Sequence, residues 1–367
     1  MKPTQRLHEL GQSLWVDNIT RDMLRQGTLK GYIDDLSVTG LTSNPSIFEK
    51  AIGAGDSYDE QIAKIGAGAE DEGGAGVSAE ENIFFELALA DLRDAADLFA
   101  DAHARSGGVD GFVSLEVSPL LADDAKATIE QAANLHRKAE RDNLFIKIPG
   151  TPAGTEAIEE SIFAGIPINV TLLFDDNQYL AAADAYMKGI ERRIEAGLDP
   201  VVQSVASIFM SRWDVAVAEE VPAELKNRLG IAIGGRAYRA YRELLDSDRW
   251  MRLANNGARP QRLLWASTGT KDPDASDTLY IEAFASPFTI NTMPDKTLEA
   301  FADHGELGDL MDPAGSAAEN SLKEFEEAGI DLVALAKRLQ DEGKESFDKA
   351  WDGLLKTIAD KRGVKAG

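Results

Sequence analysis

The stretch Asn143-Leu144-Phe145-Ile146-Lys147-Ile148-Pro149-Gly150 alternates with a period of two. Leu144, Ile146 and Ile148 fall on one face, and Phe145, Lys147 and Pro149 fall on the other. That pattern, closed by Pro-Gly, predicts a short strand. One face is aliphatic and the other carries a single amine. Removing that amine from water disfavours its ammonium form. A neutral lysine amine can attack a carbonyl and form a Schiff base. A lysine guarding an exposed strand edge would leave the same local pattern. The strands on either side must therefore decide between the two.

Working outward, further strands are predicted at 14–18, 40–44, 111–119, 167–174, 201–209, 262–268 and 288–292, which makes eight candidates. Pro45 forbids continuation of the second. In 111–119, Val113, Leu115 and Val117 alternate strictly with Ser114, Glu116 and Ser118. Helical patterns occupy 3–12, 20–35, 79–105, 122–141, 156–164, 176–196, 211–220 and 230–246. Three more follow the last strand, at 296–303, 316–328 and 330–361. Phe347, Trp351, Leu354 and Ile358 stripe the final one, a face suited to docking on the chain's own barrel or, alternatively, on a partner. Residues 64–79 are rich in Gly, Ala and acids with no apolar period, and are expected to form a flexible surface insertion.

Strands alternating with helices predict a parallel α/β fold. A single (β/α)8 barrel spanning residues 1–367 fits the length, with extra N-terminal helices and a C-terminal helical extension from about 296. An open doubly wound sheet is the rival. Polar residues favour the barrel, because they sit at the carboxyl ends of the strands, where a barrel concentrates its functional groups. No glycine-rich phosphate loop follows the first strand, and Gly150-Thr151-Pro152-Ala153-Gly154-Thr155 lacks the Gly-Lys-Ser/Thr of a nucleotide-binding loop.

Composition narrows the partners. Net charge is −25, which repels nucleic acid and anionic membrane. An anionic substrate must then meet a local basic cluster. There is no cysteine, so disulfides, a thiol nucleophile and thiolate metal sites are excluded. The start of the chain lacks the apolar run of a signal peptide, and no run of about 18 apolar residues occurs. A cytoplasmic protein is expected.

Gathered at the strand ends are Asp17, Asn44, Glu116, Lys147, Asn169, Thr171 and Ser207. Singly, each has a structural explanation: Asp17 as a helix cap, Asn44 as a turn residue, Glu116 as an ion-pair partner, Thr171 as an ordinary strand residue. Together they supply an amine, two carboxylates, amides and hydroxyls, the groups needed for imine chemistry on a polyhydroxy carbonyl. Arg212, at a helix start where backbone N–H groups add to the guanidinium, is a candidate for a phosphate. Lys271 is the second. His8, His103, His136 and His304 are scattered on predicted helices, and no metal signature is present.

The stretches Gly40-Leu41-Thr42-Ser43-Asn44-Pro45-Ser46 and Leu144-Phe145-Ile146-Lys147-Ile148-Pro149 resemble the two signature segments of the transaldolases. Residues 168–174, 207–214 and 111–119 are also similar to that family, in its longer bacterial form. The resemblance implies a (β/α)8 barrel without cofactor and with Lys147 as the Schiff-base residue. It implies Asp17 as the acid/base for the donor's C4 hydroxyl. Glu116 and Thr171 would hold a proton-shuttling water. Asn44 and Asn169 would bind the dihydroxyacetone hydroxyls, with Ser207 and Arg212 at the phosphate. The family commonly has arginine after the seventh strand, where Lys271 stands here.

The implied reaction moves a dihydroxyacetone unit from sedoheptulose 7-phosphate to glyceraldehyde 3-phosphate, giving erythrose 4-phosphate and fructose 6-phosphate in the non-oxidative pentose phosphate pathway. Phe209 bears on its outcome, because related fructose-6-phosphate aldolases carry tyrosine at the matching position and release free dihydroxyacetone. A ring without a hydroxyl favours transfer. A barrel that serves only as a binding scaffold is the third alternative. Phosphorylated sugars are the expected partners, and a monomer or homodimer the expected assembly.

Overall fold

The computed structural model describes residues 1–67 and 78–363. The strands are β1 (Ser13–Val16), β2 (Val38–Leu41), β3 (Val113–Glu116), β4 (Leu144–Pro149), β5 (Ile168–Leu173), β6 (Ser204–Phe209), β7 (Arg262–Ala266) and β8 (Ile290–Met293). All pair in parallel, in the order β2-β1-β8-β7-β6-β5-β4-β3. The two outer strands meet where the Leu41 N–H donates to the carbonyl of Phe112 at 3.0 Å. Helices fill the connections, so the fold is a (β/α)8 barrel, as the strand–helix alternation predicts.

Closure at that seam depends on Gly40. A Cβ there would lie 2.6 Å from the Phe112 carbonyl oxygen and 2.6 Å from the Trp15 indole. Trp15 fills the barrel interior near its N-terminal end and donates from Nε1 to Asp110 Oδ1 at 2.9 Å. Asp110 also accepts from Ser13 Oγ, which in turn accepts from Arg262 Nη1 at 2.9 Å. This end is thus plugged by an indole and a hydrogen-bonded charged group, and polar side chains open to solvent gather at the other end. A buried charge is tolerated there because each partner is hydrogen-bonded.

Several element boundaries differ from the periodicity. The helix expected over 79–105 divides at Phe99, whose ring is fully buried and whose backbone (φ −89°, ψ −2°) ends Ala79–Leu98 before Ala100–Arg105 begins. Helices Pro45–Gly53, Asp59–Gly66, Asp248–Asn255 and Leu279–Ala283 are short and were not visible as apolar periods. Residues 64–66, part of the expected 64–79 insertion, complete Asp59–Gly66. Most of the remainder, 68–77, lies outside the described residues.

After β8 come helices Asp295–His304, Ser316–Glu327 and Leu332–Gly363. The last packs on the chain's own barrel, against Pro45–Gly53 and Ala79–Leu98. Phe347, Trp351, Leu354 and Ile358 are buried in that seam, and Trp351 meets Phe84 edge-on at 5.1 Å between ring centroids. Earlier in the same helix, the Gln340 amide donates to the carbonyls of Leu172 (2.9 Å) and Gly150 (3.2 Å). Those carbonyls mark where β5 and β4 leave the barrel, so the C-terminal helix is tied across the mouth.

Candidate active site

A cavity of ≈ 310 Å³ opens at the carboxyl ends of the strands. Of the residues singled out in the sequence, Asp17, Asn44, Lys147, Thr171, Ser207, Phe209, Arg212 and Lys271 line it. Glu116 and Asn169 lie behind its wall, both buried. The parallel register explains the grouping: Lys147 is level with Glu116 on β3 and with Asn169 on β5. Neighbours level in a parallel ladder point to the same face, so three polar side chains from three strands share one side of the barrel wall.

Lys147 Nζ donates to the Ser43 carbonyl at 2.8 Å and to Glu116 Oε2 at 3.1 Å. The carboxylate that the sequence offered as an ion-pair partner stands beside the amine. Burial pushes the Glu116 carboxyl above its ordinary range, with the Lys147 amine opposing that shift. A carboxyl so displaced can accept the proton that must leave an ammonium before it becomes a nucleophile. Glu116 Oε1 and Thr171 Oγ1 are buried without a hydrogen-bond partner among the described residues.

Asp17 follows β1, its N–H held by the Met293 carbonyl at 2.8 Å. Its Oδ1 accepts from Thr42 Oγ1 at 2.6 Å. Burial raises its pKa, against the lowering effects of the Thr42 bond and of Lys147 and Lys271. Asp17 does not cap the helix that follows, which begins at Arg21 and is capped by Thr20. Asn44 does cap a helix, its Oδ1 accepting from Ile47 N at 3.1 Å, and this leaves its amide nitrogen for the cavity. Asn169 is held on both sides, accepting from Ser207 Oγ at 2.7 Å and donating to Ser114 Oγ at 3.2 Å.

Arg212 stacks over the Phe209 ring, 5.1 Å from its centroid, and Phe209 stacks in turn on Phe174. Burial lowers the guanidinium pKa, opposed by Glu342. The free backbone amides expected beside Arg212 are largely used. Met210, Ser211 and Trp213 donate to the carbonyls of Ala266, Ser267 and Met210. The helix itself is only Ser211–Val217.

Sequence reasoning missed Thr42, Lys50, Ser267, Thr292, Ser346 and Phe347, which also line the cavity. Ser267 sits at φ 54° just past β7 and pairs through its hydroxyl with Ser211 at 2.9 Å. Phe347 was legible only as part of an apolar stripe. None of the four histidines lines the cavity; all lie on helices, His103 bonded to the Asp110 carbonyl and His304 paired with Asp277.

Residues 14–358 match the family described as Transaldolase/Fructose-6-phosphate aldolase. Proteins named transaldolase are similar over almost the whole chain. That of Parafrankia sp. is 43% identical, covering 100% of this chain and 99% of the relative. That of Thiobacillus denitrificans is 42% identical, covering 98% and 100%. That of Thermobifida fusca is 42% identical, covering 97% of each.

Proposed function

The chain belongs to the transaldolase/fructose-6-phosphate aldolase family, and from that premise we propose how its residues carry out the transaldolase reaction. It is an enzyme, a transferase acting on phosphorylated sugars. The reaction moves a dihydroxyacetone unit from sedoheptulose 7-phosphate to glyceraldehyde 3-phosphate, leaving erythrose 4-phosphate and fructose 6-phosphate. The observation that carries the proposal is the Lys147 amine, which lines the cavity and lies 3.1 Å from a carboxylate whose other oxygen has no partner among the described residues.

Glu116 takes a proton from Lys147, and the neutral amine attacks the C2 carbonyl of the ketose. A water held between Glu116 Oε1 and Thr171 Oγ1 passes the protons needed to expel the carbinolamine oxygen. The protonated imine is then an electron sink. Asp17 removes the C4 hydroxyl proton, the C3–C4 bond breaks, and its electrons remain on the bound fragment as an enamine. The aldose leaves, an acceptor aldehyde enters, and the enamine attacks it while Asp17 returns the proton to the new C4 oxygen. Hydrolysis of the imine frees the product.

Asn44 and Asn169 bind the dihydroxyacetone hydroxyls, Asn169 through its amide group in exchange for a serine partner. Ser207 and Arg212 hold the phosphate, and Lys271 adds a second cation. The Phe209 ring offers no hydroxyl to activate water, so the enamine survives to be transferred. An assay for free dihydroxyacetone separates this from an aldolase: release should stay far slower than transfer. A cytoplasmic location and a monomeric or homodimeric state complete the proposal. Size-exclusion chromatography with light scattering tests the second.

Borohydride reduction in the presence of fructose 6-phosphate should leave one covalent adduct, which peptide mapping should assign to Lys147. An adduct on another residue, or undiminished transfer by Lys147→Arg, would overturn the mechanism.

A further inference from the structure

We propose that Gln340, on the C-terminal helix, is a positioning residue for the imine chemistry: its amide holds the backbone bulge that aims Thr171 into the cavity. The proposal rests on the reading of Thr171 as a group that holds the proton-shuttling water.

Thr171 differs from the polar side chains around it in what fixes it. Lys147 is held by Ser43 and Glu116, Asp17 accepts from Thr42, and Asn169 is bonded to Ser207 and Ser114. Thr171 lines the same cavity, and its buried Oγ1 has no hydrogen-bond partner among the described residues. A β-branched side chain has few χ1 choices, so the direction of this hydroxyl follows from the backbone beneath it.

That backbone is irregular. Val170 is level with Ala206 and Leu173 with Ile208, so β5 advances three residues while β6 advances two. Thr171 and Leu172 thus form a bulge, a device that re-aims a side chain. Leu172 sits at φ 57°, a left-handed conformation that its Cβ disfavours. Such a conformation persists where its surroundings over-determine it.

Gln340 supplies that constraint. Its Nε2 donates to the Leu172 carbonyl at 2.9 Å and to the Gly150 carbonyl at 3.2 Å. A primary amide nitrogen carries two protons, one for each carbonyl. Gly150 in turn donates from its own N–H to the Thr171 carbonyl at 2.7 Å. One side chain therefore ties the residue after Thr171 to the residue that grips it. Gly343 adds a close approach three residues on, where a Cβ would lie 3.0 Å from Leu172 Cδ2. Positions 340, 343 and 347 share one face of the helix, and Phe347 reaches the cavity. Buried Leu339, Trp351, Leu354 and Ile358 seat the helix, so the clamp has a fixed base.

A water at Thr171 Oγ1 must reach the carbinolamine oxygen on Lys147 when protons pass. Relaxation of the bulge would turn the Thr171 hydroxyl away while leaving Lys147, Glu116 and Asp17 in their own hydrogen bonds. Loss of the Gln340 amide should therefore slow imine formation and leave ketose binding alone.

Single turnovers of the full chain with fructose 6-phosphate, quenched with borohydride, test this. Gln340→Leu should slow adduct formation about ten-fold, the scale on which small misplacements act. Steady-state KM for the ketose phosphate should stay within about two-fold. Gln340→Glu keeps the length but turns carboxylate oxygens toward two carbonyls at pH 7, so it should slow at least as much. Thr171→Val should itself slow adduct formation. Added to Thr171→Val, Gln340→Leu should slow it by no more than about two-fold further, because both changes act on one hydroxyl. Simple loss of folded protein would lower the fraction trapped rather than its rate.

Equal slowing by Gln340→Leu with and without the Thr171 hydroxyl overturns the inference alone. So does an unmodified rate in Gln340→Glu, or a lowered trapped fraction at an unchanged rate in Gln340→Leu. Thr171→Val forming adduct at the unmodified rate instead removes the reading of Thr171, and the inference with it.

Discussion

The Lys147 amine lies 3.1 Å from Glu116 Oε2, and the two side chains are 6% and 4% exposed. A buried pair of this kind is poor evidence of stabilisation, because desolvating both charges offsets most of their attraction. It is well suited to proton exchange, since burial penalises the carboxylate and favours the state in which Glu116 carries the proton.

Glu116→Gln preserves the shape and a hydrogen-bond acceptor for Lys147 but cannot take its proton. Schiff-base formation, followed in a single turnover by borohydride quench, should slow by about 10²–10⁴-fold, the usual scale of general acid–base catalysis. The KM for the ketose phosphate should change little. A variant that forms adduct at the unmodified rate would remove Glu116 from the proton path.

Asp17 has a folded-state pKa raised above its ordinary value, chiefly by burial. Its contribution to stability is therefore fully present below the unfolded pKa of about 3.9 and is lost as pH rises through the folded value. Asp17→Asn carries no charge and avoids that loss. Chemical denaturation should find the variant more stable than the unmodified protein at pH 7, with the difference disappearing toward pH 4. Activity should be largely lost. Equal stability at both pH values would contradict the electrostatic account.

Gly343, on the C-terminal helix, passes close to Arg212, the proposed phosphate ligand. A Cβ there would lie 3.0 Å from Leu172 Cδ2 and 3.2 Å from Arg212 Nη1. Gly343→Val should displace the guanidinium and raise KM for glyceraldehyde 3-phosphate about ten-fold or more, the loss of a charge-assisted contact. Turnover with unphosphorylated glyceraldehyde should change far less. A parallel loss with both acceptors would assign Gly343 to general packing.

Gly40→Ala tests the barrel seam. The added Cβ would meet the Phe112 carbonyl and the Trp15 ring at 2.6 Å each, and neither can yield freely. Overpacking of this kind costs about 1–3 kcal/mol. Urea denaturation should show the midpoint falling with the slope unchanged. An unaltered midpoint would mean the seam relaxes more easily than its contacts suggest.

Much of this molecule was legible because its signals are local. Alternation in 143–150 and 111–119, and the breakers Pro45, Pro119 and Pro149, mark strands without reference to anything distant. Lys147, Glu116, Asn169 and Thr171 could be grouped because a parallel ladder brings the carboxyl ends of strands together. Short helices such as Asp59–Gly66 and Leu279–Ala283 were not legible, having too few turns to establish a period.

The amino-acid order by itself determined the strand–helix alternation, the end of the barrel where polar groups gather and the identity of the amine. These follow from side-chain period and backbone stereochemistry, which act over a few residues. Tertiary structure alone decided that Lys147 faces a carboxylate at 3.1 Å, that Thr292 reaches Thr42 across 250 residues of chain, and that the C-terminal helix brings Phe347 to the cavity. Those relations depend on strand register and on closure at Gly40, where distant segments meet, and no local pattern encodes a distance between them.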